Sequence, residues 1–109
     1  MNVLCQLGDE IARKIEAAVP GVTTTVVPGA GPVPDDVRGE VLVTAARGSE
    51  NIADVLRHGV QWVHAFGTGV DSFPLGALDG RLLTCSRGAS AIPISEWVLA
   101  VMLAFVSAV

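Results

Sequence analysis

The sequence predicts an α/β fold in which a parallel sheet forms the middle of three layers. Short runs rich in β-branched residues alternate with windows of helical periodicity, a pattern typical of β-α-β crossover units. Glycine, proline and aspartate cluster at the boundaries between these runs. The chain has 109 residues, of which 50% are apolar. A chain of that size is expected to form one domain with a substantial core.

The first part of the chain predicts two strands and one helix. Residues 1–7 (MNVLCQL) form a strand, and Asp9 is placed to cap a helix over 10–19, whose apolar residues recur at helical spacing. Residues 22–27 (VTTTVV) are all β-branched and predict the second strand. The prolines and glycines of 28–34 predict a loop.

The middle of the chain repeats the cycle. Residues 40–46 (EVLVTAA) predict a buried strand, and Ser49 is placed to cap a helix over 50–58. Residues 60–66 predict the fourth strand. A short helix is expected to start at Asp71 or Ser72.

Residues 82–85 predict the fifth strand. Five strands with intervening helices favour a three-layer sandwich with a parallel sheet in flavodoxin-like order. Such sheets bind ligands at the carboxyl ends of their strands.

The final segment, 93–109, predicts a hydrophobic helix. Twelve of the thirteen residues from Trp97 to Val109 are apolar, which marks the helix for burial on every side. Leaving four to six such side chains in water costs on the order of 10 kcal/mol. We therefore divide the chain into an α/β domain over 1–90 and a hydrophobic connecting helix over 91–109. We expect residues 97–109 to drive homo-oligomer formation or to bind a partner domain.

Composition and charge exclude several classes of partner. The formal net charge is −4, and the seven Arg and Lys residues are scattered singly, so no nucleic-acid surface is predicted. No apolar run reaches the roughly 18 residues of a transmembrane helix. Cys5 and Cys85 lie in separate apolar runs without a CxxC pair, which favours free thiols in a reducing, cytoplasmic compartment.

The sequence FGTGVD at 66–71 predicts a glycine turn directly after the fourth strand. A dinucleotide fingerprint requires a third glycine, and Ser72 stands at that position. A P-loop requires a Gly-Lys-Ser/Thr sequence that is absent here. Two interpretations stay open on spacing alone. The turn presents backbone N–H groups to a small anion such as a carboxylate, or it simply joins a strand to a helix.

Other polar residues give weaker signals. Arg47 and Arg87 each follow a strand and are expected on the same edge of the sheet as the glycine turn, either at a site or as solvated arginines. His58 and His64 lack neighbours at metal-ligand spacing and show no obvious nucleophile partner, so structural or surface roles are expected and no metal site is predicted. A phospho-receiver function is excluded because the third strand ends Thr44-Ala45-Ala46, without an acceptor aspartate.

Residues 40–105 resemble the N-terminal region of the D-isomer-specific 2-hydroxyacid dehydrogenases. The resemblance rests on the strand followed by the GxGxD loop (GTGVD) and on the later segment ASAIPISEWVLAVMLAF, in the family's order and separation. It covers the first 40 residues only in outline. The resemblance implies hydride transfer between NAD or NADP and a small 2-oxo or 2-hydroxy acid.

The resemblance also implies site residues. Thr68 and Gly69 match the loop that presents N–H groups to the substrate carboxylate, and Arg47 or Gly48 is expected near the substrate. The family's catalytic arginine, glutamate and histidine and its GxGxxG unit lie further along the chain than residue 109. No catalytic or cofactor-binding residue is therefore assigned in 1–109, and this stretch alone is expected to be inactive and not to bind NAD(P).

Two further hypotheses belong to other classes. In one, the chain is a non-enzymatic α/β module that acts by self-association through its C-terminal helix. In the other, a partner chain supplies the nucleotide-binding part.

Overall fold

In a computed structural model the described residues are 1–108, and they form one five-stranded parallel sheet with helices beside it. The strands are β1 (Asn2–Cys5), β2 (Thr23–Val26), β3 (Val41–Ala45), β4 (Trp62–Phe66) and β5 (Leu82–Cys85). The helices are α1 (Asp9–Ala18), α2 (Ile52–Leu56) and α3 (Ala91–Ser107), and a 3-10 turn covers Leu75–Ala77.

The strand order is β2-β1-β3-β4-β5, and every neighbouring pair is parallel. This is the flavodoxin-like order, so the predicted fold class is confirmed. Val109, the last residue of the predicted final helix, lies outside the described residues.

One face of the sheet carries the core. Leu4, Leu42 and Val63 are register partners on β1, β3 and β4, and none of them is exposed to solvent. Val55 of α2 and Phe73, just before the 3-10 turn, belong to the same buried cluster. The core therefore lies between β1, β3 and β4 on one side and α2 with the 73–78 segment on the other.

The opposite face is covered at one end only. There α1 packs against β2. Val3 and Cys5 of β1 and Val41 of β3 are also buried, and the remaining side chains of this face are partly or fully exposed to water. We call this uncovered part, at the β3–β5 end of the sheet, the open face. Its side chains alternate with those of the core face, and they are Val43, Trp62, His64, Phe66, Leu82 and Thr84.

Helix starts differ from the predicted ones. Gly8 rather than Asp9 precedes α1, and Asn51 rather than Ser49 precedes α2, with no side-chain capping bond at either start. The Ser49 hydroxyl instead donates to Asn51 Oδ1 over 3.0 Å. The short helix expected from Asp71 or Ser72 is the 3-10 turn that begins at Leu75. The capping predictions were wrong because the Ser49 hydroxyl forms a local bond to the Asn51 side chain and Asp9 stays in solvent.

The C-terminal helix α3 projects away from the sheet. All of its residues are exposed, and the molecule measures 61 × 31 × 23 Å. Its radius of gyration is 17.1 Å, against about 13 Å for a compact chain of this length. None of the helices in residues 1–108 combines the length and apolar content needed to cross a bilayer.

The two cysteines lie on β1 and β5, with β3 and β4 between them. Strands are spaced roughly 4.8 Å apart, so three such steps exceed the reach of a disulfide. Both thiols are free, as predicted.

A carboxylate fastens α1 to β2. Glu16 Oε1 accepts hydrogen bonds from the Thr24 hydroxyl at 2.7 Å and from the Thr24 backbone N–H at 2.8 Å. These bonds, the hydroxyl's first, hold the pKa of Glu16 below its ordinary value of 4.5. Because the folded pKa is the lower one, this contribution to stability is present above pH 4.5 and is lost as the pH falls through the folded pKa.

We expect the free energy of unfolding to fall on acidification, and Glu16→Gln to reduce that dependence. Thr24→Val removes only the hydroxyl donor and should reduce it in part. Thr23→Val is the matched control, since the Thr23 hydroxyl bonds to Asn2 Oδ1 and not to Glu16. Urea titrations over a pH series measure the effect. A pH dependence in Glu16→Gln equal to that of the unchanged protein would contradict it.

Candidate functional site

The carboxyl edge of the sheet gathers three turns. Residues 46–48 follow β3, residues 67–69 follow β4, and residues 86–88 follow β5. Because the strands are parallel and adjacent, these turns lie next to one another. All four substrate-binding residues predicted from the sequence, Thr68, Gly69, Arg47 and Gly48, are on this edge.

A small cavity lies between the first two turns. It has a volume of about 190 Å³ and is lined by Ala46, Arg47, Gly69, Asp71 and Ser72. The structure thus brings together Arg47 and Gly69, two of the four predicted residues. The other two, Thr68 and Gly48, do not line this cavity.

The 67–69 turn leaves two backbone donors free. Within residues 1–108, the N–H groups of Thr68 and Gly69 donate to no backbone carbonyl and to no side-chain acceptor. Both residues are exposed. Gly67 has the opposite role, because its carbonyl accepts from the Ser86 N–H at 2.7 Å and ties β4 to β5. The turn is therefore anchored at Gly67 and open at the next two positions.

Gly48 serves the backbone of the neighbouring turn. Its φ is 76°, and its N–H donates to the Ala45 carbonyl at 2.9 Å. A Cβ at this position would lie 3.0 Å from Pro74 Cδ. The positive φ and the close approach of Pro74 both require glycine here, and the N–H is already occupied.

Two opposite charges face the cavity. Arg47 is exposed and has no ion-pair partner within residues 1–108, and Asp71 also lines the cavity. An anion there is attracted by the guanidinium and by free N–H groups and is repelled by the Asp71 carboxylate. The chemistry fits one small carboxylate held weakly at an exposed edge. Asp71 and Ser72 were not predicted as lining residues, although their position directly after the glycine turn placed them within reach.

No serine or cysteine partner was predicted for the histidines, and in the structure two hydroxyl groups lie beside His64. Its Nε2 lies 3.1 Å from Ser86 Oγ, and its Nδ1 lies 2.8 Å from Thr84 Oγ1. Trp62 Nε1 also donates to Thr84 Oγ1 at 2.8 Å. One consistent chain of donors runs from Trp62 through Thr84 and His64 to Ser86. The period-two spacing of Trp62, His64 and Phe66 against Leu82, Thr84 and Ser86 was the available signal.

This chain of hydrogen bonds does not make an acyl-transfer site. Among residues 1–108 no carboxylate bonds to His64, whose Nδ1 partner is the Thr84 hydroxyl. The Ser86 N–H, a natural donor to an oxyanion, is already bonded to Gly67. The contacts are best explained as a polar link between β4 and β5.

His58 is structural. It is 6% exposed, and its Nδ1 lies 2.8 Å from the Val37 carbonyl. It borders a cavity at the amino edge of the sheet, on the opposite side from the glycine turn. Within residues 1–108, no group of three or more His, Cys, Asp or Glu side chains is arranged to hold a metal ion.

Comparisons with models of protein families, with curated proteins and with solved structures found no match to this chain. The fold is therefore known from the structure alone, and the family resemblance depends only on the motifs of residues 40–105.

Proposed function

We propose that residues 1–109 form the substrate-side part of an NAD(P)-dependent D-2-hydroxyacid dehydrogenase, which holds the carboxylate of a small 2-oxo or 2-hydroxy acid. One observation carries the proposal. Arg47 and Gly69, both predicted from the family's motifs, line the same small cavity at the carboxyl edge of a flavodoxin-like sheet. The free N–H groups of the glycine turn support it.

In this function, residues of this chain bind the substrate and orient it. Arg47 attracts the carboxylate, and the N–H groups of Thr68 and Gly69 receive its oxygens. Asp71 sets an upper limit on affinity because it repels the same group. Gly48 and Gly67 act indirectly, by holding the two turns in place.

The described residues do not fit a dinucleotide. Ser72 replaces the third glycine, and the element after the turn is a three-residue 3-10 turn without a helix N-terminus for a pyrophosphate. NAD(P) would accept or donate the hydride from a site outside residues 1–109. This stretch alone is therefore expected to bind substrate weakly and to be inactive.

The binding test uses pyruvate and glyoxylate, with the protein observed by NMR during titration. Arg47→Ala is expected to weaken binding about fivefold, as for one exposed charge-assisted contact. Asp71→Asn is expected to tighten it about threefold, because the repulsion is removed. Chemical shift changes should centre on the amides of 68 and 69.

The matched control is Arg87→Ala, an exposed arginine on the neighbouring turn that does not line the cavity. It should leave both affinities unchanged. Equal losses in Arg47→Ala and Arg87→Ala would show only a general effect of positive charge. That result, or shift changes away from residues 68 and 69, would refute the assigned site.

A second candidate function is favoured by a separate observation. Helix α3 is exposed along its whole described length although its sequence is marked for burial. A non-enzymatic α/β module that acts by self-association through this helix accounts for that exposure. It requires no ligand at the carboxyl edge.

A further inference from the structure

Two apolar surfaces of the same chain lack a partner. One is α3, and the other is the open face of the sheet, where Phe66 is 57% and Leu82 58% exposed. Between α1 and β4 this face deepens into an apolar groove of about 330 Å³, lined by Val3, Val41, Val43, Ile15 and Trp62 among others. Exposed apolar surfaces of this extent mark interaction sites.

We propose that the open face is the docking surface for α3 of a second copy of this chain, in a reciprocal, two-fold exchange of helices. The docking gives the second candidate function its surface and does not depend on the dehydrogenase proposal. Each copy offers one helix and one face, so each helix of a pair has a face to dock on and the assembly closes at two copies.

The sheet architecture itself calls for a helix at this place. In a doubly wound sheet, helices cover both faces, and a parallel strand is buried on both sides. Here α1 covers the β2 end of its face, and within residues 1–108 nothing covers β4 and β5. The vacant strip beside α1 accommodates one helix.

The connection before α3 favours a second copy over the chain's own sheet. After Ser86 is fixed to Gly67, the Ala89 N–H donates to the Ser86 carbonyl and the Ala91 N–H to the Gly88 carbonyl, so the turn leads into α3 without a break. Folding α3 back onto its own sheet would rebuild this turn. Docking onto a second copy preserves it.

The helix presents a suitable surface. Glu96 is its one charged residue, and Ala100, Ala104 and Ser107 share its side at helical spacing. The remaining arc carries the large apolar side chains, with Val98 and Phe105 near its centre. Among the described residues, no Asp, Glu, Lys or Arg side chain lines the groove, so this arc meets a largely apolar lining and Glu96 stays in water.

The area suffices for a stable dimer. Ten large apolar side chains of α3 are between 41% and 77% exposed. At roughly 100 Å² each they present about 1,000 Å² of apolar surface. If half of it is covered and the sheet contributes as much, two reciprocal contacts bury about 2,000 Å² in total. Specific dimers require roughly 1,200 Å².

The test measures the dimer dissociation constant of the 109-residue chain by sedimentation. Leu82→Lys on the open face and Val98→Asp on α3 should each raise it by at least about thirtyfold, the effect of a central contact. Phe66→Lys is a second open-face variant in case one of these misfolds. Leu75→Lys is the matched control, because Leu75 is 56% exposed on the 3-10 turn and lies on neither surface.

A dimer that Leu75→Lys retains and that the open-face and helix variants lose supports the exchange. A dimer that survives both Leu82→Lys and Phe66→Lys would show that helices pair with helices, which overturns the docking site. A monomer in which the amides of α3 and β5 are protected would show that the helix folds onto its own sheet, and it also overturns the proposal. Neither of these outcomes changes the pyruvate-binding test with Arg47→Ala, so failure of the docking proposal can be distinguished from failure of the dehydrogenase proposal.

Discussion

Gly39→Ala is expected to lower the free energy of unfolding by about 2 to 3 kcal/mol, the usual cost of overpacking a dense core. A Cβ at position 39 would lie 2.8 Å from Leu4 Cγ and 2.9 Å from the Asn2 carbonyl oxygen. Leu4 is fully buried on β1, so it cannot move aside without displacing its neighbours. The Gly39 N–H also donates to the His58 carbonyl at 3.1 Å, which keeps this backbone in place. Urea denaturation followed by circular dichroism measures the loss.

Gly76→Ala is the matched control. It adds the same methyl group where, among the described residues, a Cβ would meet no atom within 4 Å other than those of its chain neighbours, and where φ is not positive. Such a change reduces the entropy of the unfolded chain and should leave stability unchanged or raise it by up to about 1 kcal/mol. A Gly39→Ala protein as stable as the unchanged one would mean that residues 38–40 separate from β1 at little cost.

The fold was predictable because the local sequence indicates where the strands lie. The β-branched run at 22–27 and the apolar runs at 40–46 and 60–66 contain β2, β3 and β4, and glycine or proline marks their ends. The right-handed crossover rule then restricts how such strands are ordered. The close packing of Gly39 against Leu4 could not be predicted from the sequence, since the two residues are 35 positions apart in the chain.

Helix lengths were less predictable. The helix expected over 50–58 is observed only at Ile52–Leu56. Its predicted first residues enter a turn in which the side chain of Asn51 bonds to Ser49 and to the Pro28 carbonyl of the 28–34 loop. A polar side chain near a helix start can form either a capping bond or another hydrogen bond, and its position in the sequence does not determine which one forms.

The candidate site was predicted in part. Two adjacent parallel strands bring their carboxyl-end turns together, so the sequence correctly placed Arg47 and Gly69 on one edge. It did not reveal that Gly48 uses its N–H within its own turn, or that Asp71 faces the same cavity as Arg47. Those details depend on side-chain directions and backbone bonds across turns.

A polar cluster beneath this edge fastens the 28–34 loop to the sheet. Asn51 Nδ2 donates to the carbonyls of Pro28 at 2.9 Å and Gly31 at 3.0 Å. Asn51 Oδ1 accepts from Gln6 Nε2 and from Ser49 Oγ, each at 3.0 Å. Gln6 in turn accepts from the buried Thr44 hydroxyl at 2.8 Å. Gln6 Nε2 also donates to the Pro28 carbonyl at 2.9 Å, so the side chains of Asn51 and Gln6 together join the loop, the end of β1 and the start of α2.

Asn51→Ala is expected to lower the free energy of unfolding by about 2 to 3 kcal/mol, because it removes four hydrogen bonds, two of which are partly buried. The loss should be local as well as global. Amides of 28–34 should exchange with solvent faster than those of α1, since the loop loses both bonds from Asn51 and keeps the Gln6 Nε2 bond to the Pro28 carbonyl at 2.9 Å and the Val33 N–H bond to Asp54 Oδ2 at 3.2 Å. Ser49→Ala removes one of the four bonds and should cost about 1 kcal/mol.

Gln61→Ala truncates an exposed amide on the opposite edge and should change stability by no more than about 0.5 kcal/mol. If Asn51→Ala and Gln61→Ala unfold at the same urea concentration, the loop is held by its apolar contacts, chiefly Val27 and Val33 in the core, and not by Asn51.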